Sequence, residues 1–136
     1  MLRSEVLANR QKVITFLKQP KRIKATSALD KGQGARCCLG HMCYSLGIPR
    51  KKYKDGFSYA GHAGVAPNKL LVLVGLYSAT GSTSTHGKLV NQSCHSLAEL
   101  NDRTTYSPQQ IGTYLESVIE GGPNTPWKPL TDYPQS

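Results

Sequence analysis

The stretch RCCLGHMCYSLGIP, residues 36–49, constrains this chain more than any other. Three of the four cysteines, Cys37, Cys38 and Cys43, fall within seven positions, with His41 between them. Cys38, Met42 and Leu46 recur at i, i+4, i+8 with Leu39 beside them, which is the apolar face of an α-helix. Neighbours on a helix sit about 100° apart, so Cys37 and Cys38 cannot share one direction. Gly47 supplies the C′ position and Pro49 forbids continuation, so the helix ends there. A helix with thiols on its apolar face has to be covered by other elements.

What those thiols do depends on their compartment. The start, MLRSEVLANRQKVITFLKQ, is interleaved with charge and lacks a continuous apolar block, so no secretory signal is expected. The longest apolar run, LLVLVGL at 70–76, is far short of the ~20 residues a membrane span needs. The expectation is a cytosolic protein with no membrane partner. There disulfides do not persist, and clustered thiols are metal ligands, catalytic groups or buried core. Structural zinc sites pair their ligands at short range. Here the halves would be Cys38 with Cys43, or Cys37 with His41, and then the neighbours Cys94 and His95. None matches a common zinc spacing, so no metal and no cofactor is expected. A nucleophilic cysteine needs a lowered pKa. Arg36 and a helix start favour one at Cys37 or Cys38, and His41, His62, His86 and His95 are candidate bases, but no protease or transferase signature surrounds them. Buried free cysteine is the default, and no catalytic residue is assigned.

The remaining chain reads as short helices on a small mixed scaffold. With 136 residues it is one domain, large enough for a real core. Leu2, Val6, Val13, Ile14 and Leu17 form a helical face over 2–18, stopped by Pro20. RIKATSAL (22–29) extends as a strand and DKGQG (30–34) turns. RKKYKDGFSYAGHAG, from Arg50, is a basic, glycine-rich loop. PNKLLVLVGL starts at Pro67 and stops at Gly75; its flanks favour helix over buried strand. ATGSTSTHG (79–87) is a polar loop and GKLV (87–90) a brief strand. A helix ending near Asn101-Asp102 and a turn follow. The next helix has Ser107 as N-cap, Pro108 at N1 and Gln110 closing a capping box. Ile111, Leu115 and Val118 are its buried face, and Gly121-Gly122 end it. The expected fold class is α+β, a small single domain over 1–122, mainly short helices with a minor β element. Residues 123–136, with four prolines, form an extended tail whose deletion should leave the fold intact. Trp127 within it docks on the body or on another subunit, which admits a homo-oligomer.

Charge is the best functional clue. Residues 1–54 hold thirteen Lys/Arg and two acids, net +11, whereas residues 55–136 hold four and six, net −2. The clusters KQPKRIK (18–24) and RKKYK (50–54) suit an anionic partner, such as nucleic acid, nucleotide or acidic protein. Sequence-specific DNA recognition is disfavoured. The second helix of the 94–119 pair would have to read bases, yet PQQIGTYLESVIE has no basic residue. Lys31 and Arg36 adjoin the start of the cysteine helix, where free N–H groups and the helix dipole attract anions. Together with His41 they are the expected ligand-binding group. The glycine-rich loop lets backbone N–H groups approach a phosphate. Asn101 and Asp102, followed by Arg103, either cap and turn the chain or hydrogen-bond a ligand, Asp102 accepting from a ribose hydroxyl or a base amine.

Lys18-Gln19, CCLGHMC with YSLGI, a proline-led element ending in VGL, LAELND and SPQQIGTYLES together resemble a widespread set of small phage and prophage proteins. Their pattern is CCLGVLC, a GL element, L..LND and a helix of the form IA.yIE. The resemblance covers roughly residues 15–120. The chain departs at His41, where valine is usual, at Ser107-Pro108, where an aromatic is usual, and in its tail. The resemblance implies viral origin and the host cytoplasm but supplies no mechanism. With the charge pattern, it leads to the expectation of a phage counter-defence protein that sequesters a nucleotide-type anionic immune signal. The alternatives are a binder that blocks a host protein or nucleic acid, and a small hydrolase or thiol enzyme acting on the same kind of signal.

Overall fold

The computed structural model describes residues 1–81 and 94–135. These form an α+β fold of five α-helices and a five-stranded sheet of very short strands. Helix α1 (Arg3–Leu17) buries Val6, Val13, Ile14 and Leu17, the face expected from their spacing, while Leu2 is left 38% exposed. α1 packs against α2 (Cys38–Ser45), α3 (Asn68–Val74) and α5 (Pro108–Ser117). The core gathers around it from Met42, Leu70, Val74, Leu97, Leu100, Ile111, Leu115 and Trp127. α3 follows Pro67 and stops at Gly75, whose φ of 75° is the left-handed conformation of a C-cap glycine. In α5 the Ser107 Oγ accepts from the Gln110 N–H, and the Gln110 side chain returns a bond to the Ser107 N–H. α4 (Leu97–Arg103) is capped by Ser96, whose Oγ accepts from the Glu99 N–H.

The sheet corrects the reading of two segments. Its order is β1 (Ile23–Lys24), β3 (Ala35–Arg36), β2 (Asp30–Gly32), β5 (Gly56–Tyr59), β4 (Arg50–Tyr53). Only Ile23 and Lys24 of the expected strand over 22–29 pair, in parallel with β3. The expected turn at 30–34 is half strand: Asp30–Gly32 pairs on both sides, and the chain reverses through Gln33 and Gly34, both at positive φ. The basic glycine-rich loop is an antiparallel hairpin, β4 with β5, that turns at Lys54-Asp55. The backbone N–H groups that face across the hairpin serve its ladder. Beyond Gly81, the polar stretch 79–87 with His86 and the strand at 87–90 lie outside the described residues. No helix among the described residues is long and apolar enough to cross a membrane.

The boundary at residue 122 does not hold. Trp127 is fully buried, its Nε1–H donates to Leu115 O at 3.3 Å, and it bridges to Leu76. Lys128 N–H donates to Gly75 O, Leu130 N–H to Glu120 O, and Arg3 N–H to Pro134 O. Prolines made this segment look like a solvated tail; the aromatic and three backbone bonds make it part of the body. The second fastener is Arg10, buried in the middle of the apolar face of α1. Its Nε donates to Val74 O (2.7 Å), Nη1 to Ile119 O (2.8 Å) and Nη2 to Lys128 O (2.6 Å). Val74 closes α3 and Ile119 lies just past α5, so the guanidinium meets carbonyls at the negative ends of two helices. Burial lowers its pKa to about 10, still far above neutrality.

Trp127→Ala should therefore destabilise the protein by about 3–5 kcal/mol, read from the midpoint of urea unfolding. Deleting residues 124–136 should abolish the cooperative transition, and an unchanged midpoint in either variant would show the segment to be dispensable.

Candidate functional site

Side chains alternate across a strand, so cross-strand partners share a face. Asp30 pairs with Arg36 on one side and Phe57 on the other, and Phe57 pairs with Lys52. Arg50 and Tyr59, two residues along from Lys52 and Phe57, join the same face. Asp30 is the centre of this group. Its Oδ2 accepts from Tyr59 OH (2.6 Å), Arg36 Nε (3.0 Å) and Arg50 Nε (3.0 Å), and its Oδ1 accepts from Gly32 N–H (2.8 Å). Burial alone would raise the carboxyl pKa, but the bonds from Tyr59, Gly32, Arg50 and Arg36 outweigh it and hold the group below its ordinary 3.8. Burial, then the bond to Asp30, pushes Tyr59 up to about 12. Two guanidinium groups share one carboxylate, so one positive charge is uncompensated.

That charge sits among aromatic rings. The Arg36 guanidinium lies 3.8 Å from the Tyr44 centroid and that of Arg50 lies 3.4 Å from Phe57, with Lys52 at 5.1 Å on the same ring. Tyr44, at the end of α2, is 44% exposed. Phe16 adjoins it, with ring centroids 5.7 Å apart and tilted by 37°, and Arg22 lies 3.6 Å over Phe16. Arg22 Nε donates to Phe16 O at 3.0 Å. The result is a run of alternating cations and rings from the end of α1, across the end of α2, to the hairpin. Two clefts adjoin it. One of about 620 Å³ is lined by Lys31, Tyr53, Lys54, Asp55, Phe57 and Gly64. The other, about 480 Å³, is lined by Lys12, Thr15, Phe16, Gln19, Arg22 and Ser45 and includes no acid.

The six residues singled out from the sequence do not converge. Lys31 is exposed beside the first cleft. Arg36 is 6% exposed and committed to Asp30. Asn101 is buried, and its Oδ1 accepts from Cys38 N–H while its Nδ2 donates to Ala25 O and Asp102 Oδ1. Asp102 Oδ2 accepts from Ser27 N–H at 3.3 Å, and exposed Arg103 lies with it beside His95 and Glu99 in a small hollow. The start of α2 is thus closed by Asn101 and by Cys37 Sγ, which accepts from Gly40 N–H. Gly40 lies so close to the Leu29 carbonyl that a Cβ would collide with it. The anion site expected there is filled by protein. Basic clusters were legible, but the rings between them were not. The signals that could have found the hairpin are the Asp55-Gly56 turn and the basic-aromatic alternation of KKYKDGF.

His41 is a core residue. Its Nε2 stands 2.8 Å from Ile23 O, and because a carbonyl only accepts, Nε2 carries the proton. Nδ1 is left without a hydrogen-bond partner, alone in this among buried side-chain N and O atoms of the described residues. Burial, with Arg36 and Arg22 nearby, lowers its pKa to about 4 despite the bond to Ile23. Cys37, Cys38, Cys43 and Cys94 are all buried, and none forms a disulfide among the described residues. Burial pushes the Cys37 thiol up to about 11 and raises Cys38 and Cys43 as well. Such thiols are protonated at neutral pH and poor nucleophiles. Among the described residues no three His, Cys, Asp or Glu side chains gather as a metal site.

Comparison with protein-family models, with curated proteins and with solved structures gives no match.

The histidine predicts a pH dependence. The unfolded imidazole takes a proton near pH 6.5 and the folded one only near 4, so stability should fall by about 3 kcal/mol as pH drops through that window. Asp30 acts lower, losing its contribution only as its carboxylate protonates beneath 3.8. Urea midpoints of wild type and His41→Val between pH 7 and 4 check this: the variant should lose the slope, and a slope that persists belongs to another group.

Proposed function

We propose that this protein binds, without transforming, a phosphate-bearing ligand of nucleotide type, and that as a phage counter-defence protein it withholds such a signal in the infected host. The observation that carries this reading is Arg50. Its Nε is fixed on Asp30 and its plane lies on Phe57, while the side chain remains 31% exposed. The outer edge of the guanidinium therefore faces solvent in a set orientation. A guanidinium held in this way loses little entropy on gripping a phosphate and offers a planar fork to its oxygens. The half-exposed Tyr44 ring beside it offers a stacking surface for a base, worth about 1–3 kcal/mol in known single-strand binders.

Binding is favoured over catalysis because burial keeps Cys37, Cys38 and Cys43 protonated and His41 is sealed in the core. The viral role is supported by the resemblance of CCLGHMC, LAELND and the following helix to the phage pattern.

The test is retention. The protein is incubated with a mixture of nucleotides and cyclic nucleotides, washed, heated, and the released material identified by mass spectrometry. Intact nucleotide is expected from wild type, with affinity reduced about tenfold or more in Arg50→Ala and not restored by Arg50→Lys, which lacks the fork. Degraded nucleotide would mean catalysis. Nothing retained, or full retention by Arg50→Ala, would overturn the assignment and leave a host protein or nucleic acid as the partner to seek.

A further inference from the structure

Arg50 has a counterpart at the other end of the aromatic run. Arg22 repeats its arrangement feature by feature. Its Nε is committed to a fixed acceptor, Phe16 O, its plane lies on a ring, and it is partly exposed along a cleft that carries Lys12 and no acid. Between these two anchored cations stand only rings: Phe16 and then the exposed Tyr44, with Arg36 beneath it. A surface meant merely to stay soluble has no need to fix its arginines or to leave an aromatic exposed between them. Two fixed forks separated by a stacking surface match a ligand with phosphates at both ends and bases between.

We infer, resting on the reading above, that the ligand is a short oligonucleotide, linear or cyclic, with at least two phosphates. One phosphate sits at Arg50, another at Arg22, and at least one base stacks on Tyr44. Steps of 3.6, 5.7 and 5.5 Å keep the two guanidinium carbons within about 15 Å of each other, the reach of about two to four stacked nucleotides. A mononucleotide fills one end only. An acidic peptide would use the cations and gain nothing from the ring.

The experiment measures binding of the full chain to adenosine monophosphate, a linear diadenylate with two phosphates, a cyclic diadenylate, a linear tetra-adenylate and an oligoglutamate peptide. Each is titrated at two salt concentrations. The variants are Arg22→Ala, Arg50→Ala, Tyr44→Ala and, as a charge control on α3, Lys69→Ala. The two-phosphate and longer probes should bind at least about tenfold tighter than the monophosphate and lose about tenfold in each of the first three variants, with Lys69→Ala unchanged. A preference for the cyclic or the linear form supports the inference and identifies the source. If Arg22→Ala behaves like Lys69→Ala, or the monophosphate binds as tightly as the oligomers, the extended ligand is wrong while a one-ended nucleotide site survives. If no nucleotide binds, both readings fall. Equal binding of oligoglutamate, indifferent to Tyr44→Ala, overturns the inference in favour of an acidic protein. Losses that are equal in all cation variants and vanish at high salt overturn it in favour of nonspecific attraction. If an alanine variant fails to melt cooperatively, Arg22→Lys and Arg50→Lys replace it, and each should still lose affinity although the charge is kept.

Discussion

A buried carboxylate costs several kcal/mol unless its lone pairs are filled, and Asp30 has them filled from four directions. The donors come from β2, β3, β4 and β5, so one side chain ties together four strands of two to four residues each. Strands that short do not hold a sheet by backbone pairing alone. The chosen solution uses two arginines for one carboxylate, and this has a chemical consequence. The pair Asp30 and Arg36 closes the books in the interior, and Arg50 is left as a charge held in position at the surface. The same bond that makes the sheet stable therefore makes the exposed cation rigid.

Arg10 is the converse on the other side of α1. It is a buried cation satisfied by carbonyls, two of them at helix ends where partial negative charge accumulates. It locks the end of α3, the end of α5 and the segment carrying Trp127 onto one helix. Gly75 accompanies it, since a Cβ there would meet both Arg10 Nη2 and the Tyr133 hydroxyl. α1 thus links the two charge centres: Arg10 fastens its buried side, and Phe16 near its end begins the aromatic run toward Asp30.

Helix faces, caps and stops were legible because each rests on local chemistry. Val6 to Leu17, Ser107 with Gln110, and Gly75 all act within a few residues of themselves. What could not be read depends on partners far along the chain. Arg10 carries no local signal of burial and is buried because carbonyls at 74, 119 and 128 converge on it. For Trp127 the sequence left open docking on the body or on another subunit, because the residues that receive it, Leu76 and Leu115, are set by the fold. The hairpin at 50–59 was masked by its own charge. All of β4 is exposed at the sheet edge, where Lys and Arg suit an unpaired strand but give no apolar alternation to detect. At the candidate face the cations were visible as clusters, whereas Phe16, Tyr44 and Phe57 are scattered over forty residues and meet only in three dimensions.

The structure also separates the motifs that build the molecule from those that distinguish it. The segments CCLG and LAELND meet each other: Asn101 caps the helix begun by Cys38, and Gly40 lets that helix lie against Leu29. The Asn101 side chain and the start of the cysteine helix are thus spent on the fold. His41 is different in kind. A valine there could not donate to Ile23 O, whereas the imidazole does, and its ring also stands 5.9 Å from Phe16. Ile23 follows Arg22, and Phe16 is the ring on which Arg22 lies. The imidazole thus supports the Arg22 end of the cation-aromatic face, at the cost of an unpaired Nδ1. A buried polar atom left unsatisfied costs about 1–3 kcal/mol, so what it supports should be worth that much to the chain.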